Sequence, residues 1–547
     1  MAEPPSSPEV EASTSTVQQE LIRSAAVEIA YLAGDNITTP DVHGAGMKIE
    51  RARDAYKVYA GFEEKPSKVE ILSWYFYELC SHFIHLVLIP IVFPLIITQI
   101  GDAASDSGSG EGLARKYKGV AACTHKETIL YLRLTNRSLL SKYSPLEWTS
   151  ISWGIGLALA APLLHFVSII LDHGYKQPLV AGAAAAIGSI FCLPAGFFRN
   201  IWLFPPYIAA IVCANVIATA CHTRNLGLLV RGFTGPTIRK SQFQARRAVS
   251  AWLSLYAAAA GSLGSAVFSS FAYHMLREDE ELLGLWIVSI FGGIIWFTGI
   301  FHFFVTNRPC VNPPISKSHA LSVFKFPHAV GGLVGTFLSS FTSMCIFTGG
   351  VLYLVGQLCY DPKALLFFFL TYFIFPLISL PMLQPLQHLI KADAIKMQLM
   401  GFFLSALTSG SGFYFRNSLW GHPHVLFFGA VQSTSAGLLH AFGRVLLMDC
   451  SPPGKEGAFS TWHSWIKALG TCVGFALATA VPGNLFTSFG LSFLTTACGV
   501  VILIFGNVSD YGGAKAASHV RHDSERGGSP VSGLETAYET QETAAVH

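Results

Sequence analysis

The stretch WYFYELCSHFIHLVLIPIVFPLIITQI, residues 74–100, is the first apolar stretch of the chain that is long enough to cross a lipid bilayer. The hydrocarbon core of a bilayer is about 30 Å thick and takes roughly 20 residues of α-helix to cross. This stretch supplies that length with one formal charge, Glu78. Because a helix turns about 100° per residue, Glu78, His82 and His85 share one face. A charge that faces lipid is costly, so we predict that this face looks into an aqueous cavity.

The composition of the whole chain indicates a membrane protein with many spans. Of its 547 residues, 51% are hydrophobic and only 13% are charged, about half the charged fraction of a soluble domain. The net charge of +3 is too small to indicate a nucleic-acid partner. The chain lacks the serine-hydrolase, zinc-protease and phosphate-loop motifs. We therefore expect no enzymatic activity, no catalytic residue and no cofactor.

The apolar blocks predict an all-α polytopic fold of twelve transmembrane helices, arranged as two halves of six. The predicted regions are a mobile N-terminal region (1–69), a first six-helix half (70–305) with a long first lumenal loop (101–147), a linker (306–325), a second six-helix half (326–508) and a disordered tail (509–547).

The positions of Lys and Arg predict the orientation of the chain. Short cytosolic loops carry an excess of these residues, and basic residues cluster between the fourth and fifth predicted helices and in the linker. We predict that both termini are cytosolic, although the long first loop on the other side is also basic. The sequon at Asn136 would then face the lumen or the outside, where it is a candidate for glycosylation. An unmodified chance sequon is the alternative.

Polar side chains recur at helical spacing in the first, fourth, seventh and tenth predicted helices. We predict that these stripes line the substrate or proton pathway, which would include Glu78, His82, His85, Asn215, Ser339, Thr342, Ser433 and His440. Ordinary helix packing is the alternative for the small residues.

The first helix also suggests a proton relay, because histidine changes charge near neutral pH. Glu78 and Arg444 lie near the cytosolic ends of their helices, where we expect snorkelling to reduce the cost of their charges. His85 lies about 10 Å deeper than Glu78. This depth favours gating or proton entry for Glu78. A packing histidine and a metal site are alternatives, and we predict no metal because the span completes no ligand set.

One loop resembles that of a known superfamily of transporters. The stretch SIILDHGYKQ, residues 168–177, resembles the G-x-x-x-D-x-G-x-[RK]-[RK] loop of the major facilitator superfamily. Asp172, Gly174 and Lys176 match that pattern, whereas Ser168 and Gln177 depart from it. In this loop Asp172 and Lys176 flank a tight turn, from which they can pair with neighbouring helix ends in one of two states.

Two further stretches resemble the autophagy-related vacuolar amino-acid effluxers. They are SWYFYELCSHF, residues 73–83, and HAFGRVLLMDCSPPGKEGAFSTW, residues 440–462. In the second stretch Arg444, Lys455 and Glu456 stand where that family has them. We expect Lys455 and Glu456 to cap a helix or to pair with Arg444 and Asp449; an exposed turn with weak surface pairs is the alternative. The predicted gating residues are Asp172, Gly174, Lys176, Arg444, Lys455 and Glu456.

The resemblance implies a secondary-active transporter that exports amino acids or similar small solutes from a vacuole, with protons as a possible coupling ion. Its partners would be a small-molecule solute and the lipid bilayer. The alternatives are the plasma membrane as location, a sugar, peptide or organic anion as solute, and a receptor or scaffold that retains the fold without transport.

Overall fold

The computed structural model describes the chain between residues 65 and 520, with gaps. The described residues are 65–105, 131–132, 134–135, 143–173, 177–197, 200–235, 238–278, 284–306, 308, 320–360, 362–417, 420–506 and 508–520. Three predicted functional residues, Asn136, Gly174 and Lys176, lie outside them. The predictions for most of residues 1–69 and for most of the first loop also lie outside them.

The helices are numbered in chain order. Helix α1 consists of Lys68–Ser81, a π-helical segment Ile84–Val92 and Phe93–Ser105. The others are α2 (Pro145–His173), α3 (Gln177–Cys192), α4 (Phe204–Thr234), α5 (Phe243–Glu278), α6 (Leu285–Thr298, followed by a short turn of helix at Phe301–Val305), α7 (Pro327–Gly356), α8 (Pro362–Leu389), α9 (Ala394–Tyr414), α10 (His422–Asp449), α11 (Glu456–Ala480), α12 (Leu485–Phe505) and α13 (Asp510–Ala516).

The prediction of an all-α polytopic membrane protein is confirmed. Within the described part of the chain, 9 helices are long and apolar enough to span a membrane, namely α1, α2, α4 to α8, α10 and α12. The other three predicted spans are also helices, but α3 has only 16 residues, and α9 and α11 are more polar. Helix α11 is more polar because it carries His463 and Lys467 in its middle. The count of twelve spans is therefore only partly supported by length and hydropathy.

Helices α1 to α12 pack in a pattern that repeats after six helices. In the first six, α2 packs on α4, α3 on α6 and α1 on α5; in the second six, α8 packs on α10, α9 on α12 and α7 on α11. The two sets also meet in matching pairs, α2 with α11 and α8 with α5. Two similar six-helix units related by an axis along the membrane normal produce such pairs. Below, α1 to α6 are called the first helix set and α7 to α12 the second.

The π-helical segment of α1 separates the region around Glu78 from the apolar half of the helix. It contains Pro90, which has no N–H to donate and therefore cannot complete a regular α-helical ladder. Single π-helical turns often occur at functional sites. The segment begins one residue before His85, so it sets the direction in which that side chain leaves the helix.

The prediction of a disordered tail from residue 509 is wrong for residues 509–520. Helix α13 begins at Asp510, and the Ser509 hydroxyl caps it by accepting from the Gly512 N–H at 2.9 Å. Asp510 accepts a hydrogen bond from Arg247 of α5 at 2.8 Å, and a ring nitrogen of His519 lies 2.8 Å from the Ser451 carbonyl oxygen. Composition indicated a solvated tail because such pairwise contacts leave no signal in local sequence.

Candidate functional site

A buried ion pair joins the two helix sets near one end of the bundle. An Arg444 Nη of α10 donates to the Glu78 carboxylate of α1 at 2.5 Å, and the two residues are 1% and 6% exposed. Arg444 also donates to the Ser254 hydroxyl of α5 at 3.0 and 3.2 Å, and its guanidinium lies 5.0 Å from the centre of the Trp74 ring. Snorkelling, which we expected for both charges, does not occur because each charge neutralises the other inside the protein.

Three histidines surround the same carboxylate. Nitrogen atoms of His222, His82 and His440 lie 3.3, 3.8 and 3.9 Å from its oxygens. His85 continues this cluster, with its ring centre 5.0 Å from that of His82. The predicted face of α1 therefore points into the protein and not towards lipid. The roles assigned to these residues stay predictions.

His302 of the short helical turn after α6 extends the cluster away from Glu78. The His222 Nδ1 of α4 lies 3.3 Å from the Nε2 of His302, whose Nδ1 lies 2.7 Å from the Thr306 hydroxyl. His222 and His302 are both almost fully buried. The sequence analysis missed His302, although its position in the last turns of an apolar block was a usable signal. The side chains from Glu78 to Thr306 form a continuous polar chain across α1, α4 and α6.

A small polar cavity lies beside this cluster, between α1, α2, α4 and α11. The unoccupied space at this cavity is about 370 Å³, a figure that includes open solvent at its mouth. Its polar and aromatic lining includes His85, Trp153, Asn215, Thr219, Ser464 and Lys467. Of the predicted pathway residues, His85 and Asn215 line it.

Lys467 is the charged residue of this cavity, and the sequence analysis missed it. It lies in α11 and is partly buried, and no described carboxylate lies within ion-pair distance of its ammonium group. The argument that singled out Glu78 also applies to a lysine in the middle of a membrane-length helix. That argument would have found Lys467.

Three other predicted pathway residues, Ser339, Thr342 and Ser433, lie in helix contacts outside this cavity. The Ser339 hydroxyl donates to the Thr336 carbonyl oxygen at 3.0 Å, and the Ser433 hydroxyl donates to the Ala430 carbonyl oxygen at 2.8 Å. The Thr342 hydroxyl lies 2.8 Å from that of Thr495 in α12. These contacts favour the packing alternative for the three residues.

Three of the predicted gating residues, Asp172, Lys455 and Glu456, lie at the start of α11. The Asp172 carboxylate at the end of α2 accepts from the Gly457 N–H at 2.7 Å, which places a negative charge at the positive end of the α11 dipole. A Cβ atom at Gly457 would lie 2.5 Å from that carboxylate oxygen, so a larger residue would displace Asp172. This contact connects α2 of the first helix set with α11 of the second.

Two arginines complete this end of the protein. Arg231 of α4 pairs with Glu456 at 2.6 Å, and Arg246 of α5 pairs with Asp449 at 3.2 Å. The predicted pairing of Lys455 and Glu456 with Arg444 and Asp449 is therefore wrong. Each carboxylate instead pairs with an arginine of the opposite helix set.

Lys455 lies in the turn between α10 and α11 and is partly buried. Burial lowers the pKa of its ammonium group, and the neighbouring charge of Lys325 lowers that pKa further. The nearby Asp172 carboxylate opposes both effects. Lys455 thus adds positive charge at the start of α11, but it belongs to neither of the pairs Arg231–Glu456 and Arg246–Asp449.

A larger cavity of about 570 Å³ lies among α7, α8, α9, α10 and α12, within the second helix set. Its walls are apolar and aromatic, and they include Phe347, Tyr372 and Trp420. It contains none of the ionisable residues around Glu78. Such walls favour an apolar occupant, but they provide no charge that would orient a polar solute.

The side chains of Glu78, His82 and His440 each offer an atom that can bind a metal, and these atoms lie within 4.8 Å of one another. The carboxylate, however, already accepts from Arg444 at 2.5 Å. A metal ion would therefore bind a carboxylate whose charge Arg444 already neutralises, and Arg444 would repel the ion. This geometry disfavours metal binding as the main role of the cluster.

The fold and the site define an integral, multi-pass helical membrane protein that encloses ionisable side chains between its helices. No protein-family model matches the chain, and no curated protein matches it. Among solved structures, the chain is similar to the crystal structure of a bacterial homologue of the iron transporter ferroportin in an outward-facing state. The two share 14% identity, the match covers 76% of this chain and 98% of that chain, and the TM-score is 0.46. This likeness establishes neither the family nor the cargo of the protein.

Proposed function

We propose that the protein is a secondary-active transporter in which two six-helix halves, residues 70–305 and 326–508, move against each other by alternating access. The observation that carries this proposal is the enclosed cluster of Glu78, Arg444 and histidines beside a polar cavity. Ionisable residues inside membrane-spanning helices are rare and mark solute or ion pathways. The matching helix pairs α2–α11 and α5–α8 supply two similar contacts along which such halves can rock.

Two charge pairs and one hydrogen bond at one end supply the gate for this motion. Arg231–Glu456, Arg246–Asp449 and Asp172–Gly457 all join helices of opposite sets. Breaking them is required before the sets can separate at that end. Two of the predicted gating residues, Asp172 and Glu456, form these contacts. A third, Lys455, lies beside them and adds a positive charge. Arg444 lies deeper, where its pair with Glu78 must also break.

Protons are the coupling ion that the site favours. Glu78 lies beside three histidines. One of them, His222, contacts His302, which in turn contacts Thr306. Histidine can take up and release a proton near neutral pH. Protonation of Glu78 would remove its attraction to Arg444, so proton binding and the separation of α1 from α10 would be coupled.

Amino acids or similar small solutes are the cargo we propose, with the vacuolar membrane as location and both termini in the cytosol. The likeness of residues 440–462 to the vacuolar amino-acid effluxers supports both cargo and location. The orientation is supported by Cys359, between α7 and α8, which is disulfide-bonded. Disulfides persist in oxidising compartments, so this end of the protein would face away from the cytosol.

A flux assay in proteoliposomes tests the proposal. Purified protein should take up labelled amino acids, and a pH gradient should drive the uptake. Glu78→Gln should remove the dependence on the gradient, and Lys363→Gln, a change at an exposed residue at the start of α8, should leave it intact. If no amino acid is taken up with or without a gradient, amino-acid transport is wrong. If Glu78→Gln leaves gradient-driven uptake unchanged, only the proton role is wrong.

The second candidate function is a receptor or scaffold that retains the fold without transport. The observation that favours it is the loop at residues 168–177, which lacks the first glycine and the second basic residue of the superfamily pattern. Uptake of sugars, peptides or organic anions in the same assay would identify a transporter of another solute. Absence of flux for all these solutes would favour the receptor or scaffold.

A further inference from the structure

The charges around the polar cavity do not balance. Glu78 is neutralised by Arg444 at 2.5 Å, and Lys467 lies within electrostatic range of both. The described residues of the cavity include no carboxylate. Two positive charges and one negative charge therefore share this part of the protein. A charged residue inside the helices of a membrane protein rarely serves packing alone, so a lysine held there without a counter-ion indicates a function.

A second group in the cavity also lacks a partner. Asn215 is 8% exposed, and its Oδ1 has no hydrogen-bond partner among the described residues. A buried amide oxygen without a donor is destabilising. The cavity thus offers a cation at Lys467 and an acceptor at Asn215, which lie on different helices, α11 and α4.

We propose that this cavity binds the carboxylate of a small amino acid, with the Lys467 ammonium as its counter-ion and the Asn215 amide oxygen as acceptor for its amino group. The inference rests on the proposed function and names the groups that select the solute. An α-amino acid presents both complementary groups on adjacent atoms. A metal cation is disfavoured because Lys467 and Arg444 would both repel it.

The location of Lys467 also suggests how binding affects the motion. Helix α11 belongs to the second helix set, whereas Asn215, His85 and Trp153 belong to the first. A solute held by Lys467 and Asn215 would therefore connect the two sets. Because α11 begins at the gate, where Glu456 pairs with Arg231, movement of Lys467 towards a bound carboxylate would be transmitted to that pair.

Binding to purified protein tests the inference without requiring transport. The probes are alanine and valine, each compared with its primary amide and with the carboxylic acid that lacks the amino group. Binding is measured by the fluorescence of tryptophan, since Trp153 lines the cavity, and by calorimetry. We expect an amino acid to bind at least about tenfold more tightly than its amide, as expected for loss of a charge-assisted hydrogen bond.

Variants locate the effect. Lys467→Met should weaken binding of the amino acid at least about tenfold and should abolish the preference over the amide. Lys467→Arg, which keeps the charge, should retain that preference, and Lys363→Met should bind as the unaltered protein does. Asn215→Leu should remove the preference for an amino acid over the acid that lacks the amino group.

Protein stability provides an independent readout. Because Lys467 has no described counter-ion, Lys467→Met should raise the melting temperature of the ligand-free protein, whereas loss of a merely structural residue would lower it. Equal binding of acid and amide, or an unchanged preference in Lys467→Met, would overturn the inference. If binding shows the expected preference but proteoliposomes show no flux, the carboxylate site stands and the proposed transport is wrong. If amino acids are transported and Lys467→Met leaves their flux unchanged, the proposed transport stands and the carboxylate site is wrong.

Discussion

Arg444 of α10 donates to Glu78 of α1 at 2.5 Å, and this pair is buried between helices of the two helix sets. Removing one partner leaves the other charge buried without compensation, which costs about 3 to 5 kcal/mol. We therefore expect Arg444→Met to lower the free energy of unfolding by about that amount. Thermal unfolding of the detergent-solubilised protein would measure the loss as a lower melting temperature.

The double variant Glu78→Gln/Arg444→Met serves as the rescue in this experiment. It removes both charges, so it should be more stable than Arg444→Met alone. Lys396→Met is the matched control, because Lys396 is 65% exposed and lies 3.7 Å from Asp393. Loss of an exposed pair costs about 1 kcal/mol or less. Equal destabilisation by Lys396→Met and Arg444→Met would contradict the importance of burial.

The pair at the gate, Arg231 with Glu456, is expected to control opening at that end. Arg231→Gln leaves Glu456 without its arginine, so the closed arrangement should lose about 1 to 3 kcal/mol, a coupling typical of such switches. Opening would expose Cys450, which is buried at the end of α10. In a variant that keeps Cys450 as its only free cysteine, Arg231→Gln should raise the rate of maleimide labelling roughly tenfold.

Lys240→Gln is the control for this labelling, because Lys240 is exposed near the start of α5. It removes one positive charge near the same end without breaking a buried pair. Its labelling rate should equal that of the parent protein. Faster labelling in both variants would indicate a general effect of surface charge on the reagent, and an unchanged rate in Arg231→Gln would exclude the pair from the gate.

Sequence periodicity located the site, but it did not identify the contacts that form it. The spacing of Glu78, His82 and His85 predicted an inward face, and all three side chains lie inside the protein. The phase of a helix does not say which other helix lies opposite, so the pairing of Glu78 with Arg444 was beyond prediction. The pairing of Arg231 with Glu456 depends in the same way on how distant helices pack.

Two residues show a different reason for incomplete prediction. Lys467 carried a detectable signal, because it is a charge within a membrane-length block. It was missed because the predicted polar stripes lie in the first, fourth, seventh and tenth helices, whereas Lys467 lies in α11. Ser339 had the spacing of a pathway residue, yet its hydroxyl donates to a carbonyl of its own helix. Small polar residues serve packing and function with the same pattern, whereas charged residues inside a span rarely serve packing alone.

The short helix α13 is expected to stabilise the protein although it follows the last long helix. Asp510 accepts from Arg247 at 2.8 Å and His519 contacts Ser451 at 2.8 Å. A protein that ends at residue 508 loses both contacts and leaves Arg247 with Asp393 alone. We expect its melting temperature to fall by several degrees, whereas a protein that ends at residue 521 keeps these contacts and should match the full chain. Equal melting temperatures for the two truncations would contradict a stabilising role of α13.

The disulfide at Cys359 provides a test of membrane orientation. If both termini are cytosolic, Cys359 faces an oxidising compartment, because it lies between α7 and α8 at the end of the protein opposite to the gate. In sealed vesicles whose cytosolic side faces outwards, a membrane-impermeant reductant and an impermeant maleimide should leave Cys359 unlabelled. Permeabilising the vesicles should allow labelling after reduction, but not without it. Cys450, placed at the cytosolic end, should show the reverse preference in the Arg231→Gln protein. Labelling of Cys359 in intact vesicles would mean that the chain is inserted the other way round.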